Sequence, residues 1–196
     1  MPDARRAAKS RRREELIAAA ARIMAERGFR QTTLDDVGSA VGVSGPAVYR
    51  HFSGKAGLLA AILIDISIRL VDGARAVLAD RGDDADPAGT LRALIDFHVD
   101  FAVTEPDRIR IQEREIGNLD REDRDKVRSL QRTYVGLWSD AVRAADPSLD
   151  AAAARLRVQL AAGLINSSQH VLHWAGGDAV AREARAMALR AFDLGE

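Results

Sequence analysis

The 196-residue chain carries 29 basic and 29 acidic side chains, is 47% hydrophobic and contains no cysteine. That length permits one substantial core, or a small module joined to a larger one. Without cysteine, neither a disulfide nor a thiolate metal site is available, which suits a reducing cytoplasm.

The longest apolar run, Leu58 to Ile64, stops at Asp65, well short of the roughly 20 residues a bilayer requires. Glu14, Glu15 and Arg22 interrupt the apolar stretch that a signal peptide would need. A cytoplasmic protein with no membrane association is therefore expected. The balanced charge hides an asymmetry. Residues 1–55 hold eleven Lys or Arg against six Asp or Glu, and the remainder holds 18 against 23. A basic head on an acidic body suggests a polyanion partner at one end, although a charged, solvated face accounts for asymmetry alone.

Helical periodicity runs through the chain, no strand pattern stands out, and the helix breakers fall mostly between periodic segments. The first helix is predicted from about Ser10 to Arg27, with Leu16, Ala20, Ile23 and Met24 facing inward and Gly28 closing it. Thr33, with Asp36 three residues on, starts a short second helix ending near Val41. Gly42 supplies a turn, and Ser44 caps a third helix whose first turn accepts Pro46.

Ser53 caps a long fourth helix, about Gly54 to Ala79, that is apolar on nearly all sides from Leu58 to Val71. The stretch Asp80 to Pro87 reads as a linker. A fifth helix covers about Ala88 to Val103, a sixth about Asp107 to Ile116, and a seventh about Arg121 to Ala145. Asp150 caps the eighth, expected to continue to Trp174, and the ninth runs from about Ala179 to Leu194. The expectation is an all-α protein of nine helices. The basic arm and the first three helices, residues 1–53, are expected to form one domain and residues 54–196 a second.

Two short helices meeting at Gly42 behind a first helix suit a helix-turn-helix. Val37, Val41, Val43 and Val48 can make its small core. Ser44, Gly45, Pro46 and Ala47 are small enough for the third helix to approach base edges closely. Tyr49, His51 and Lys55 offer polar tips to the phosphate backbone. Arg50 can pair with guanine through two hydrogen bonds. Arg5, Arg6, Lys9, Arg11, Arg12 and Arg13 precede the helix as a flexible basic arm suited to phosphates or an A·T-rich minor groove.

Residues 32–59, TTLDDVGSAVGVSGPAVYRHFSGKAGLL, together with the preceding Ala25-Glu26-Arg27-Gly28-Phe29, resemble the signature of the tetracycline-repressor (TetR) family. The resemblance is specific over about residues 10–60 and architectural beyond. It implies that Thr33, Tyr49, His51 and Lys55 touch phosphates and that Ser44 to Ala47 and Arg50 face bases. It also implies that residues 1–53 are the DNA-binding domain and residues 54–196 a ligand-binding and dimerisation domain, in which helices four to seven enclose a ligand pocket and the last two helices form a homodimer interface. Repression, as opposed to activation, follows from the resemblance alone. The chain departs from the pattern with Gly38 and Val41 in the second helix, and with Ala56 and Gly57 after Lys55. Glycine in a helix costs roughly 0.5–1 kcal/mol against alanine, so the head and the start of the fourth helix are expected to be softer than usual.

In the body, the eighth and ninth helices are rich in alanine and glycine, with Leu160, Leu164, Val171, Met187 and Phe192 supplying apolar bulk. That composition suits a dimer, or a bundle within one chain. Phe97, Phe101, Ile109 and Trp138, with polar Asn166 and His170, are candidates for the ligand pocket, and the polar groups of His98, Gln169 and Trp174 could also orient a ligand. Ordinary core is the alternative for the apolar members. His170 and His173 lack an evident third ligand, so no metal is expected, and no cofactor is implied.

The segment Arg110 to Val127 is similar to the bodies of regulators that respond to fatty acyl-CoA or related lipids. It implies an apolar effector with an anionic head, for which Arg108, Arg110 or Arg114 offers charge. The alternative pairs these arginines with Glu113, Glu115, Asp120 and Glu122 on a solvated face. The sequence has no phosphate-binding loop, nucleophile elbow or zinc-protease motif, so no catalytic residue and no enzymatic activity are expected. The expected function is a repressor released from a double-stranded DNA operator by a small molecule. A constitutive DNA-binding protein, a helical interaction module and a helical enzyme are the competing readings.

Overall fold

A computed structural model of the chain describes residues 2–82 and 85–194. The described residues form α-helices and short 3-10 turns with no strand. The helices are α1 (Pro2–Arg27), α2 (Leu34–Ala40), α3 (Gly45–Val48), α4 (Lys55–Arg81) and α5 (Pro87–Thr104). They continue as α6 (Pro106–Glu115), α7 (Arg121–Ala145), α8 (Ala151–Asn166), α9 (Leu172–Ala175) and α10 (Gly177–Ala191). Two compact units divide these residues. One contains the chain through Ile66 together with Arg110–Val127, and the other contains Ser67–Ile109 together with the chain from Arg128 onward.

The first unit is built around α1. Leu16, Ala20, Ile23 and Met24 are buried along one stripe, as the sequence pattern predicts, joined by Ile17 and Ala21. Gly28, at φ +81°, closes the helix with its N–H on the Met24 carbonyl at 2.8 Å, a left-handed geometry that glycine adopts without steric cost. The expected flexible arm is not extended. Arg5, Arg6, Lys9, Arg11, Arg12 and Arg13 all lie on α1. Alanine, arginine, lysine and glutamate are strong helix formers, and Pro2 stands at the first helical position, where its missing N–H costs nothing.

The second unit packs α10 against α5 and α8, and α5 against α8. Arg185 of α10 pins α5 by donating from Nε to Asp96 at 2.5 Å and from Nη2 to Asp100 at 3.2 Å. The tip of the Phe97 ring fills the space that a Cβ on Gly73 of α4 would need. Asp86 caps α5 through the amides of Ala88 and Gly89. Of the predicted linker Asp80 to Pro87, α4 takes the start and α5 the end, and residues 83 and 84 lie outside the described residues.

The predicted eighth helix is broken. It starts on its Asp150 cap, whose side chain accepts the Ala153 N–H at 2.7 Å, and it ends at Asn166 rather than Trp174. A 3-10 turn, Ser167–His170, and the short α9 follow. Ser167 Oγ donates to the Leu164 carbonyl at 2.6 Å, the local competition by which serine ends helices. Gly176, at φ +81°, then turns the chain into α10.

Candidate functional site

The helix-turn-helix is organised by close backbone approach. Thr33 and Asp36 make the predicted reciprocal cap at the start of α2. The Asp36 side chain accepts from the Thr33 N–H at 2.9 Å, and its N–H reaches Thr33 Oγ1 at 3.1 Å. The Thr33 hydroxyl, which donates to Asp36 Oδ2 at 2.6 Å, and then the Thr33 N–H hold the Asp36 carboxyl below its ordinary range. At the other end Gly42, at φ +71°, makes the turn, and the Val43 N–H returns to the Gly38 carbonyl at 2.9 Å.

Gly38 is then less a softening than a requirement. A Cβ there would lie 2.8 Å from the Val43 carbonyl oxygen and 3.1 Å from the Ser44 carbonyl carbon. Gly45 is likewise buried against Asp35. Val37 and Val48 fill the small core, while Val41 and Val43 are half-buried.

Beyond Gly45–Val48 the recognition segment tightens, with Arg50 and His51 amides bonding three residues back to Ala47 and Val48 at 3.2 and 2.9 Å. Ser44, Pro46, Tyr49 and Arg50 are exposed, Ala47 is half-buried, and Tyr49 stands 62% open to solvent. Ser44 occupies the cap position of α3 without a side-chain bond to it. Gly45, expected to face bases, packs against Asp35 of α2.

The cations converge on this segment. Arg12 donates to the Val41 carbonyl at 3.1 Å and pairs with Glu15 at 2.8 Å, and the Arg13 guanidinium lies 5.3 Å from the Phe52 ring centre. Arg11 is exposed on the same helix. His51 is held below its ordinary pKa, first by desolvation and then by Lys9, Arg12, Arg13 and Arg50 around it. Its Nδ1 is buried without a hydrogen-bond partner among the described residues. The helical arm therefore concentrates positive potential where Arg50 and Tyr49 are exposed, an arrangement that attracts a polyanion. Lys55 is partly turned inward, donating to the Arg30 carbonyl at 3.1 Å and lying 4.7 Å from the Phe29 ring centre.

In the second unit a buried polar cluster joins α5, α7 and α8. His98 is 2% exposed, with Nδ1 2.8 Å from the Tyr134 hydroxyl and Nε2 3.1 Å from Asn166 Oδ1. Because Asn166 Oδ1 can only accept, Nε2 carries the proton and donates, and the Tyr134 hydroxyl donates to Nδ1. Burial lowers His98 to about 4 against the smaller opposing effect of the Asn166 bond, and burial likewise raises Tyr134. Tyr134 stacks on the imidazole and Trp138 meets it edge-on, with centroids 5.6 and 5.7 Å apart.

Asn166 and Trp138, both ligand candidates from sequence, thus meet around His98. Phe97 and Phe101 form a tilted pair with centroids 6.5 Å apart, and Ile109 is fully buried. His170 is exposed on the 3-10 turn and joins none of them. Tyr134 was missed. Its position one helical turn before Trp138 on the amphipathic α7 was the available signal, since a buried tyrosine hydroxyl needs a partner. Among the described residues no cluster of three His, Cys, Asp or Glu could hold a metal ion, and no helix is long and apolar enough to cross a membrane.

A third feature is an exposed apolar face on α8 to α10. Leu156, Leu160, Trp174 and Met187 are 57%, 66%, 71% and 50% exposed. Between the helices lies a groove of about 370 Å³ lined by Leu164, Val171, Trp174, Val180 and Met187 among others.

Residues 16–62 match the family model for bacterial regulatory proteins of the tetR family, and residues 84–191 match the one for the tetracyclin repressor-like C-terminal domain. The HTH-type transcriptional activator FasR of Mycolicibacterium smegmatis is 34% identical over 90 residues, covering 46% of this chain and 40% of that protein. The HTH-type transcriptional repressor KstR2 of Rhodococcus jostii is 30% identical over 137 residues, or 69% and 66% of the two chains. The match therefore spans about two fifths of the first relative and just under two thirds of the second. The transcriptional regulator FadR of Bacillus subtilis, solved in complex with stearoyl-CoA, shares the fold with a TM-score of 0.71 at 16% identity, over 93% of this chain and 99% of that one. Both halves of the chain thus match models of one family, which is a family of regulators rather than enzymes, and the chain belongs to the TetR family of bacterial regulatory proteins.

Proposed function

We propose that the protein is a homodimeric transcriptional repressor of the cytoplasm that binds an operator through residues 1–53 and is released by a small ligand bound within residues 54–196. The observation that carries the DNA-binding part is the exposed Tyr49–Arg50 segment beside the cations of α1. Ser44, Pro46, Ala47 and Arg50 are assigned to base edges. Thr33, Tyr49, His51, Lys55, Arg11 and Arg12 are assigned to phosphates, where cations contribute most of the affinity and make it salt-dependent.

Two copies are needed to read two half-sites about one helical turn apart. The exposed apolar face around Trp174 and Met187 is the candidate interface, since large apolar patches on a soluble surface commonly mark contacts between proteins. The buried His98–Tyr134–Asn166 cluster, with Trp138, Phe101 and Ile109 in the same unit, is the candidate for reading the ligand.

An acyl-CoA or similar lipid ester is the assigned ligand class, supported by the stearoyl-CoA complex of the fold neighbour FadR. Release requires only that the ligand favour the non-binding state, a coupling typically of about 1–3 kcal/mol.

The test is fluorescence anisotropy on DNA upstream of the protein's own gene, against excess nonspecific DNA, followed by titration of acyl-CoA esters. Specific binding released by an ester supports the whole reading. Specific binding that no ester disturbs removes the lipid assignment, and equal affinity for all DNA favours a constitutive DNA-binding protein. One relative is named an activator and another a repressor, so a reporter driven by the bound promoter decides the sign.

A further inference from the structure

We propose that Glu115 is a positioning residue for DNA binding: its carboxylate, on the last residue of α6, clamps the corner between α1 and α2 and thereby orients the helix-turn-helix. The inference rests on the DNA-binding reading above and adds how that site is held.

Glu115 is 8% exposed, and carboxylates are rarely buried without a task. One oxygen, Oε1, accepts the backbone N–H of Phe29 at 3.2 Å, and the other, Oε2, accepts from Asn118 Nδ2 at 2.6 Å. The Phe29 amide has left the helical ladder, because α1 ends at Arg27 and Gly28 takes the last return bond to Met24. A part-buried amide needs an acceptor, and this one comes from 86 residues away in sequence. Bonds to a charged acceptor are roughly twice as strong as neutral ones.

The corner passes this constraint directly into α2. Thr32 is fully buried, with Oγ1 donating to the Gly28 carbonyl at 2.9 Å, and Lys55 closes the outer side on the Arg30 carbonyl. Thr33 then caps α2, whose Gly38 touches the chain at Val43 and Ser44 at the entrance to α3. The backbone at Gly38 leaves no slack, so a shift of the corner moves the recognition segment with it. On the far side, Glu115 is held by Asn118 in the following 3-10 turn, where Leu119 is buried and its carbonyl accepts from Arg124 Nη2 at 2.6 Å. Displacing the last turn of α6 therefore stretches the Phe29 bond rather than swinging the Glu115 side chain freely.

The experiment uses the full-length chain and compares wild type, Glu115→Ala and Glu115→Gln by anisotropy on the promoter fragment and on nonspecific DNA, with amide hydrogen exchange in parallel. Glu115→Ala is expected to weaken specific binding by about ten-fold or more, equivalent to about 1.4 kcal/mol. Nonspecific binding should change less than about two-fold, because the phosphate contacts remain. Glu115→Gln keeps a carbonyl acceptor and should stay within about three-fold of wild type. The Phe29 amide should exchange faster in Glu115→Ala while the Gly28 amide is little altered.

A purely structural role would lower thermal stability without separating specific from nonspecific binding. Unchanged specific affinity in Glu115→Ala, equal losses on both DNAs, or a Gln variant as weak as the Ala variant overturns the proposal. Should Glu115→Ala fail to fold, Asn118→Ala releases one side of the carboxylate. It is expected to speed Phe29 exchange and weaken operator binding, and no change in both overturns the proposal. A wild-type chain without specific DNA binding removes the functional reading and this proposal together. Normal wild-type binding with an unaffected Ala variant removes this proposal alone.

Discussion

His98 should make the protein sensitive to mild acid. In the folded chain its pKa is lowered to about 4 by burial, against 6.5 for a solvated histidine. The unfolded chain therefore binds a proton that the folded chain refuses between these values. The sign follows from linkage: stability from this site is complete above about pH 6.5 and is lost as pH falls towards 4. The full gap corresponds to about 3 kcal/mol, of which about 2 kcal/mol is lost between pH 7.5 and pH 5.

The assay is urea unfolding at both pH values, at one ionic strength and one protein concentration, since association would also shift apparent stability. His98→Gln is the control, because glutamine offers a donor and an acceptor and does not titrate. The variant is expected to be less stable at pH 7.5 but to lose about 2 kcal/mol less than wild type on acidification. His51 is also held below its ordinary value, but it is present in both proteins and cancels in the comparison. Equal acid losses in the two proteins would refute the argument, and with it the neutral, Nε2-protonated state assigned to His98.

Glycines of opposite kind give a second comparison. Gly38→Ala should destabilise the protein in thermal melts, because the added carbon would sit 2.8 Å from the Val43 carbonyl oxygen. Gly136→Ala, in the interior of α7 with nothing within 4 Å of the added carbon, should stabilise by about 0.5–1 kcal/mol through helix propensity. In DNA titrations, Arg50→Ala is expected to cost about 1–3 kcal/mol of sequence discrimination. Lys55→Ala should lower the slope of log affinity against log salt by about one, and an unaltered slope would leave Lys55 as the tie on Arg30 alone. Trp174→Arg, at a side chain 71% exposed, should leave the monomer folded while light scattering shows a halved mass and operator binding weakens. An unchanged mass would place the dimer interface elsewhere.

How much the sequence determined depended on how local the cause was. The cap at Thr33 and Asp36, the turn at Gly42, the tolerated Pro46 and the cap at Asp150 each act within four residues, so chain order alone exposed them. The inward stripe of α1 was readable for the same reason. The basic segment from Arg5 to Arg13 has the charge of an arm but the helix propensity of its alanines, arginines and lysine, and the structure makes it part of α1. The break after Asn166 was hidden because Val171 and Leu172 repeat Leu164 and Ile165 at helical spacing, across the serines that end the helix.

The remaining features arise from proximity between distant parts of the chain. Gly38 looked like a weak point in a helix and is instead, with Gly45, where α2 and the start of α3 touch, a fact that depends on the angle between them. His98 meets Tyr134 and Asn166 across separations of 36 and 68 residues, and Glu115 reaches Phe29 across 86. A buried polar group must find a partner, so the sequence could mark these side chains as needing one. Which partner each takes was decided only when packing brought the helices together, because periodicity records the face a residue occupies and not the neighbour that face will meet.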